Sequence, residues 1–256
     1  MVDEFIRLEG ASKCYDSKKG PINAVAPMDL SINRGEFVSF LGPSGCGKST
    51  MMMMIAGLLG CTEGSIHIDG ERVVKPQTNI GIVFQNLVLV DWRDVLGNVL
   101  LQVEMRKLKV KDYETKAREL LASVGLEDFL NHHPYELSGG MQQRAAFCRA
   151  LVHDPPLVLM DEPLGALDAM TREQLRKDLE KLWMATGKTF VFVTHDISEA
   201  VQLSDRVIII SPRPGRVDAE FTIDLPRPRD FNVMQSDKFH HYVKEISSIF
   251  MRYGVI

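Results

Sequence analysis

Residues Gly42–Thr50 read GPSGCGKST and follow the apolar run Glu36–Phe40, EFVSF. A strand that breaks into a glycine-rich loop ending in Lys-Ser-Thr, with a helical stretch directly behind it, is the arrangement that wraps a nucleotide phosphate. Gly42, Gly45 and Gly47 let the backbone around Pro43, Ser44 and Cys46 curl so that its N–H groups face an anion. Lys48 adds a compact positive charge that reaches the β- and γ-phosphates. The Ser49 hydroxyl, with Thr50 beside it, is placed to coordinate Mg2+. Alone, this stretch implies a nucleotide-binding chain and leaves kinase, GTPase and motor open.

The surrounding sequence supplies the sheet. IGIVFQ (Ile80–Gln85), LVLMD (Leu157–Asp161), FVFVTH (Phe190–His195) and RVIII (Arg206–Ile210) are short apolar runs bounded by polar or turn residues. Such runs fit strands buried on both faces of a parallel sheet. FIRLEG (Phe5–Gly10) and SIHIDG (Ser65–Gly70) alternate instead, as antiparallel strands with one wet face do, and Asp69-Gly70 is a hairpin turn signal. Helical patterns are expected over Lys48–Leu58, Gln142–His153 and Thr171–Ala185. Between Gln85 and Leu137 strand signals vanish, and residues 112–124 form an amphipathic helical pattern closed by Gly125. The fold class expected is therefore α/β, a P-loop NTPase with a mainly parallel core sheet, an antiparallel β subdomain and an inserted helical subdomain. Its divisions are a nucleotide-binding core over residues 1–86 and 156–225, a helical subdomain over 87–155, and a short C-terminal helical tail over 226–256, with a helix at Ser236–Met251.

Composition narrows the class. The chain has 256 residues and a net charge of −4, so no basic surface points to nucleic acid. No stretch reaches the ~20 apolar residues of a membrane span, and Met51–Leu59 is too short. The N-terminal MVDEFIRLEG has no apolar core of the kind a secretory signal needs. Cys14, Cys46, Cys61 and Cys148 show neither a CxxC pair nor metal-ligand spacing, which implies reduced thiols in a cytoplasmic protein. The Met51–Met54 run is read as adaptable core packing.

Four further stretches carry chemistry. In LVLMDEP, Asp161 emerges at the carboxyl end of a buried strand and suits Mg2+ held through its water shell. Glu162 follows it and can accept a proton from an attacking water. His195 and Gln85 also stand just past apolar strands, and polar residues converging on one rim of a sheet are what a nucleotide site requires. In LSGGMQQR (Leu137–Arg144), two glycines open a helix, which is a poor choice for stability and a good one for gripping an anion.

GPSGCGKST, Gln85, LSGGMQQR, LMDEP, GALD and VTHD, in that order, resemble the ATP-binding cassette (ABC) ATPases over about Tyr15 to Gly215. The resemblance implies that two cassettes face each other head to tail. Ser138, Gly139, Gly140 and Gln142 of one subunit would then cap an ATP held on the other's Lys48 loop. It further implies that Tyr15 stacks on adenine, Gln85 senses Mg2+ and water, Glu162 is the general base, His195 holds the γ-phosphate, and Asp168 crosses the dimer seam. Cys46, inside the loop, is expected to react with maleimide unless ATP covers it.

DEPLGALDAMTR (Asp161–Arg172), THDISEAVQLSDRVIIIS (Thr194–Ser211) and RPG (Arg213–Gly215) resemble the importer ATPases for nitrate, sulfonates and taurine. Met141 stands where many members of the wider family have glutamine, as importer-type cassettes often do; from the importer patterns, Leu164 departs by replacing a phenylalanine and LVDW (Leu89–Trp92) by lacking a proline. The function implied is an ATPase at the cytoplasmic face of the cell membrane, binding ATP and Mg2+. It would energise a separate transmembrane permease for a small solute, indirectly serving an external solute-binding protein. The partners implied are that permease and a second ATPase subunit, with no nucleic acid. A soluble non-transport ABC ATPase is the competing class. The short span from Lys48 to Ser138 leaves no room for the long coiled coil of the DNA-repair members.

Overall fold

The computed structural model describes residues 3–18, 20–165 and 167–254; Ala166 of GALD and the chain ends lie outside the described residues. The chain opens with two long strands, β1 (Glu4–Tyr15) and β2 (Ile22–Asn33), paired antiparallel. β3 (Phe37–Leu41) is buried throughout, as its unbroken apolar run implies. It leads through the Gly42–Gly47 loop into α1 (Lys48–Ile55). α1 is shorter than the Lys48–Leu58 expected. Gly57 takes the left-handed conformation (φ 71°), and the N–H groups of Leu58 and Leu59 turn back onto the Met53 carbonyl, which ends the helix. Met51, Met52 and Met54 are buried, consistent with core packing.

β4 (Glu63–Ile68) and β5 (Glu71–Arg72) form a hairpin whose two turn residues, Asp69 (φ 52°) and Gly70 (φ 77°), both have positive φ. That is the backbone a two-residue primed turn demands. β6 (Ile80–Val83) is followed by the helical block: α2 (Val95–Met105), α3 (Lys111–Ser123) and α4 (Gly139–Leu151). β7 (Leu157–Asp161) precedes α5 (Ala169–Thr186) and β8 (Thr189–Thr194). The chain finishes with α6 (Ile197–Leu203), β9 (Arg206–Ile210), β10 (Val217–Thr222), α7 (Phe231–Met234) and α8 (Asp237–Arg252).

Two compact units result, Met1–Gln77 with Trp183–Ile256, and Thr78–Leu182. The first holds an antiparallel sheet in the order β2-β1-β4-β5 and a second run of strands in the order β10-β9-β3-β8. In that run β3 pairs parallel to both neighbours, and β10 closes the edge antiparallel to β9. In the second unit β6 and β7 pair in parallel, α4 packs on β6, and α2 and α3 pack on α4 and on each other. The mixed architecture expected from the sequence is present. The contact division differs from the expected boundaries in grouping β6 and β7 with the helices.

The C-terminal segment is fastened by a buried cation. Arg229, 1% exposed, donates to the carbonyls of Val201 (2.9 Å), Gln202 (3.2 Å), Ser204 (2.6 Å) and Ile223 (3.0 Å). Three of these lie at the end of α6, where helical carbonyls have no partner within the helix. α8 then lays Phe239, Ile246, Ile249 and Phe250 against Ala200, Val201 and Ile209. Replacing Arg229 by Met strands those acceptors in a dry environment, at a cost of about 3 kcal/mol. Thermal unfolding of Arg229→Met should be lowered by about 6–12 °C, measured by calorimetry; an unchanged midpoint would show that the clamp contributes nothing.

Candidate nucleotide site

The phosphate loop takes its shape from its glycines and its lysine. Gly45 (φ 75°) and Gly47 (φ 107°) occupy left-handed backbone, closed to most side chains. A Cβ on Gly47 would sit 2.6 Å from the Ala24 carbonyl oxygen, and one on Gly42 would sit 2.6 Å from that of Ile210. Lys48 is 4% exposed; its Nζ donates to the Gly42 carbonyl at 2.8 Å and the Pro43 carbonyl at 2.9 Å. Two carbonyl dipoles offset the burial of this ammonium, and the loop above the α1 N-terminus offers positive potential to an anion. Ser49 and Thr50 form the first turn of α1.

Two other residues of this unit gather near the loop. Tyr15 closes β1, half-exposed, with its hydroxyl 3.5 Å from Thr50 Oγ1 and the Lys13 ammonium 5.4 Å from its ring centre. His195 follows Thr194, which pairs with Leu41 across the β3–β8 ladder, so His195 and Gly42 leave adjacent strands at the same end. The exposed His195 is held in a tight turn. Thr194 Oγ1 accepts from the Asp196 N–H and donates to Glu199, while the Asp196 carboxylate caps α6 by accepting from the Glu199 N–H.

The second unit repeats this logic. Val83 pairs with Met160, so exposed Gln85, past the end of β6, and Asp161, the buried last residue of β7, also leave one end of a parallel pair. Glu162 has φ 43°, left-handed backbone for a residue with a side chain. Such strain persists where the surroundings hold it and is concentrated at functional positions. Ser138 is the N-cap of α4 and accepts from the Met141 N–H at 3.3 Å. Ser138 and Gly139 are exposed and Gly140 is buried.

The two glycines answer to different demands. A Cβ on Gly140 would strike Thr171 Cγ2 at 2.4 Å, whereas one on Gly139 would meet Leu167 at 3.7 Å, an ordinary contact. The chain's own packing thus requires Gly140 and leaves Gly139 unconstrained. Gln142 donates its amide to the Pro134 carbonyl at 2.8 Å, in the turn just before the helix. Asp168 caps α5, accepting from the N–H groups of Met170 and Thr171 at 3.1 Å each. Hydrogen bonds from the Thr171 side chain and backbone hold its carboxyl below the usual carboxylate range.

The segment after Gln85 is pinned. Arg149 of α4 donates Nη1 to the Val88 carbonyl (2.7 Å) and Nη2 to that of Leu87 (2.6 Å), and Val88 has φ 47°. Asn98 of α2 accepts from the Val90 N–H (2.7 Å) and donates to the carbonyls of Val90, Arg93 and Asp94 (3.0 Å each). Sequence reasoning missed both anchors, since an arginine and an asparagine within helices carry no local mark of these contacts.

The family model for the ABC transporter matches residues 25–165, spanning the phosphate loop, the Ser138–Gly140 tip and Asp161-Glu162. This chain belongs to the ABC transporter family. An uncharacterized ABC transporter ATP-binding protein of Methanocaldococcus jannaschii is 43% identical over 95% of this chain and 90% of its own length. The taurine import ATP-binding protein TauB of a Jannaschia species is 46% identical over 80% of this chain and 76% of its own. The aliphatic sulfonates import ATP-binding protein SsuB of Bacillus cereus is 40% identical over 98% of both. Among solved structures, a dimeric ABC transporter cassette superposes with a TM-score of 0.75 at 38% identity, over 85% of this chain and 98% of that one. The same cassette is also known in a dimeric post-hydrolysis state with ADP and Pi, with the same similarity to this chain. This ABC cassette is accordingly an ATPase, and no helix among its described residues is long and apolar enough to cross a membrane.

One expectation changes. Cys46 is 1% exposed, so ready alkylation of the nucleotide-free loop is no longer expected. Cys148 is buried too, and loss of hydration pushes its thiol up to about 12, leaving almost no thiolate at neutral pH. Brief maleimide treatment of the native chain should label the half-buried Cys14 well before Cys46 or Cys148. Peptide mapping by mass spectrometry checks this, and early labelling of Cys46 would show a loop far more open than described.

Proposed function

We propose that this ABC cassette is the ATP-hydrolysing subunit of an uptake system for a small anionic solute such as a sulfonate, taurine or nitrate. Two copies would work together on the cytoplasmic face of the membrane beneath a separate permease, which an external solute-binding protein supplies. The observation that carries the paired mechanism is the exposed Ser138–Gly139 tip. It is a capped helix N-terminus whose outer glycine is not required by the chain's own packing. An exposed helix N-terminus suits a γ-phosphate presented by another subunit. The dimeric cassette structures support pairing, and the import names of the sulfonate and taurine relatives support uptake.

In this reading the functional divisions are the nucleotide-binding core over residues 1–86 and 156–225, the helical subdomain over 87–155 and the tail over 226–256. The Gly42–Thr50 loop and Lys48 grip the phosphates of ATP, Tyr15 packs on the adenine, and His195 steadies the γ-phosphate. Ser49, Asp161 and Gln85 would hold Mg2+, which neutralises charge on the phosphates. The donor set fits: one hydroxyl, one buried carboxylate and one amide leave the remaining positions to phosphate and water, as this ion prefers. Glu162 takes a proton from the attacking water, and its fixed backbone limits the reorganisation that step needs. Asp168 acts across the pair.

Exposed apolar side chains support a docking face for the permease just past Gln85. Trp92 is 82% exposed and Val88 66%. Tyr135, 73% exposed, stacks on His133 at 5.4 Å, and His133 Nδ1 lies 3.2 Å from the Asp91 carbonyl oxygen. Exposed aromatics on an anchored segment are typical of contact surfaces.

Glu162→Gln should retain MgATP binding and lose hydrolysis by about 100-fold or more, accumulating a dimer on gel filtration with ATP. Turnover at the wild-type rate would remove the base assignment. Ser138→Arg should abolish the ATP-dependent dimer while leaving monomer affinity for ATP within about twofold. A loss of monomer affinity would mean that the tip serves its own chain's nucleotide.

A further inference from the structure

The Arg213-Pro214-Gly215 turn has no part in the chemistry above, yet it lies directly against the phosphate loop. It joins β9 to β10 and is closed on itself. The Ser211 N–H donates to the Arg216 carbonyl (3.0 Å), and Ser211 Oγ donates to the carbonyls of Pro212 (3.2 Å) and Pro214 (3.3 Å). From this turn Arg213 donates both Nε (3.2 Å) and Nη2 (3.0 Å) to the Gly45 carbonyl. Gly215 is buried, and a Cβ there would stand 2.1 Å from the Cys46 carbonyl oxygen. Two consecutive loop carbonyls, those of Gly45 and Cys46, therefore face the turn. The turn is itself tied to β2: the Gly215 N–H donates to the Ala24 carbonyl at 3.0 Å, and the Ala26 N–H donates to the Gly215 carbonyl at 2.9 Å.

In a trans peptide the C=O and N–H point opposite ways. Holding the Gly45 carbonyl therefore also fixes the direction of the Cys46 N–H, which lies 3.4 Å from the Pro43 carbonyl oxygen. A loop with glycines at 42, 45 and 47 loses much backbone entropy when it orders, and a binding site gains affinity when that cost is met before the ligand arrives. We propose that Arg213 and Gly215 form an external brace that positions the phosphate loop, Arg213 by fixing the Gly45–Cys46 peptide and Gly215 by admitting the Cys46 carbonyl at close range. Arg213 is a positioning residue: its guanidinium is spent on the loop's backbone. The brace rests on the phosphate-loop reading of Gly42–Thr50 and adds a partner from more than 160 residues further along the chain.

The test uses the full chain and ADP, which engages the loop without the paired state. Wild type is titrated with MgADP by calorimetry beside Arg213→Ala, Arg213→Lys and Gly215→Ala, and thermal midpoints are recorded without nucleotide. Arg213→Ala should weaken ADP binding about five- to tenfold, the loss of a charge-assisted bond to an exposed loop. Its nucleotide-free midpoint should stay within about 2 °C, because a local loop adds little to global unfolding. Arg213→Lys, which keeps one donor, should recover at least half of that loss on a logarithmic scale. Gly215→Ala should bind ADP more weakly than Arg213→Ala. In steady-state hydrolysis measured across a range of ATP concentrations, Arg213→Ala should raise KM and keep kcat within about twofold, because the brace acts alike on ground and transition states. Unchanged ADP affinity in Arg213→Ala, or no recovery in Arg213→Lys, would overturn the brace. A fall in kcat at constant KM would overturn it in favour of direct contact with the reacting phosphate. Failure of wild type itself to bind ADP would instead overturn the phosphate-loop reading.

Discussion

The structure depends on a buried positive charge. Lys48 brings an ammonium group to 4% exposure, a position an unsupported cation would not hold. The Gly42 and Pro43 carbonyls receive its protons, and that is possible only because the loop bends back over its own lysine. The bend needs left-handed glycines at 45 and 47 and close backbone approach at 42. The approach in turn needs β3 and β9 to end side by side, with Leu41 paired to Ile209. The parallel strands therefore serve as the mount that holds the loop and its buried cation in place.

Much of this was legible because the signals were local. The Asp69-Gly70 turn and the buried parallel strands each follow from backbone rules acting over a few residues. The helix over Val95–Met105 has no separate place in the expected helical block although Asp94 caps it, because Gly97 and Asn98 interrupt its apolar pattern. β2 escaped because Pro27, at an exposed position within it, argues against a strand. Long-range anchors left no trace at all. Arg229, Arg149 and Arg213 all donate to backbone carbonyls, and any residue offers a carbonyl, so no pairing pattern in side chains betrays them.

The same three arginines show a division of labour that charge counting hides. Each satisfies carbonyls where regular structure stops: at the end of a helix, in a strained loop, and on a glycine-rich turn. The planar guanidinium fork suits this task because it presents several donors in fixed directions at once. Surface ion pairs such as Lys238 with Asp224 add little by comparison, being fully exposed to water.

Arg149 has a mechanical consequence. It sits on the helix whose tip bears Ser138, yet its two amino groups grasp Leu87 and Val88. Swinging those two residues alone would leave a buried guanidinium without these acceptors. Leu87, Val88 and the helix that begins at Ser138 are thus joined as by a crank on a shaft, a linkage made of two hydrogen bonds.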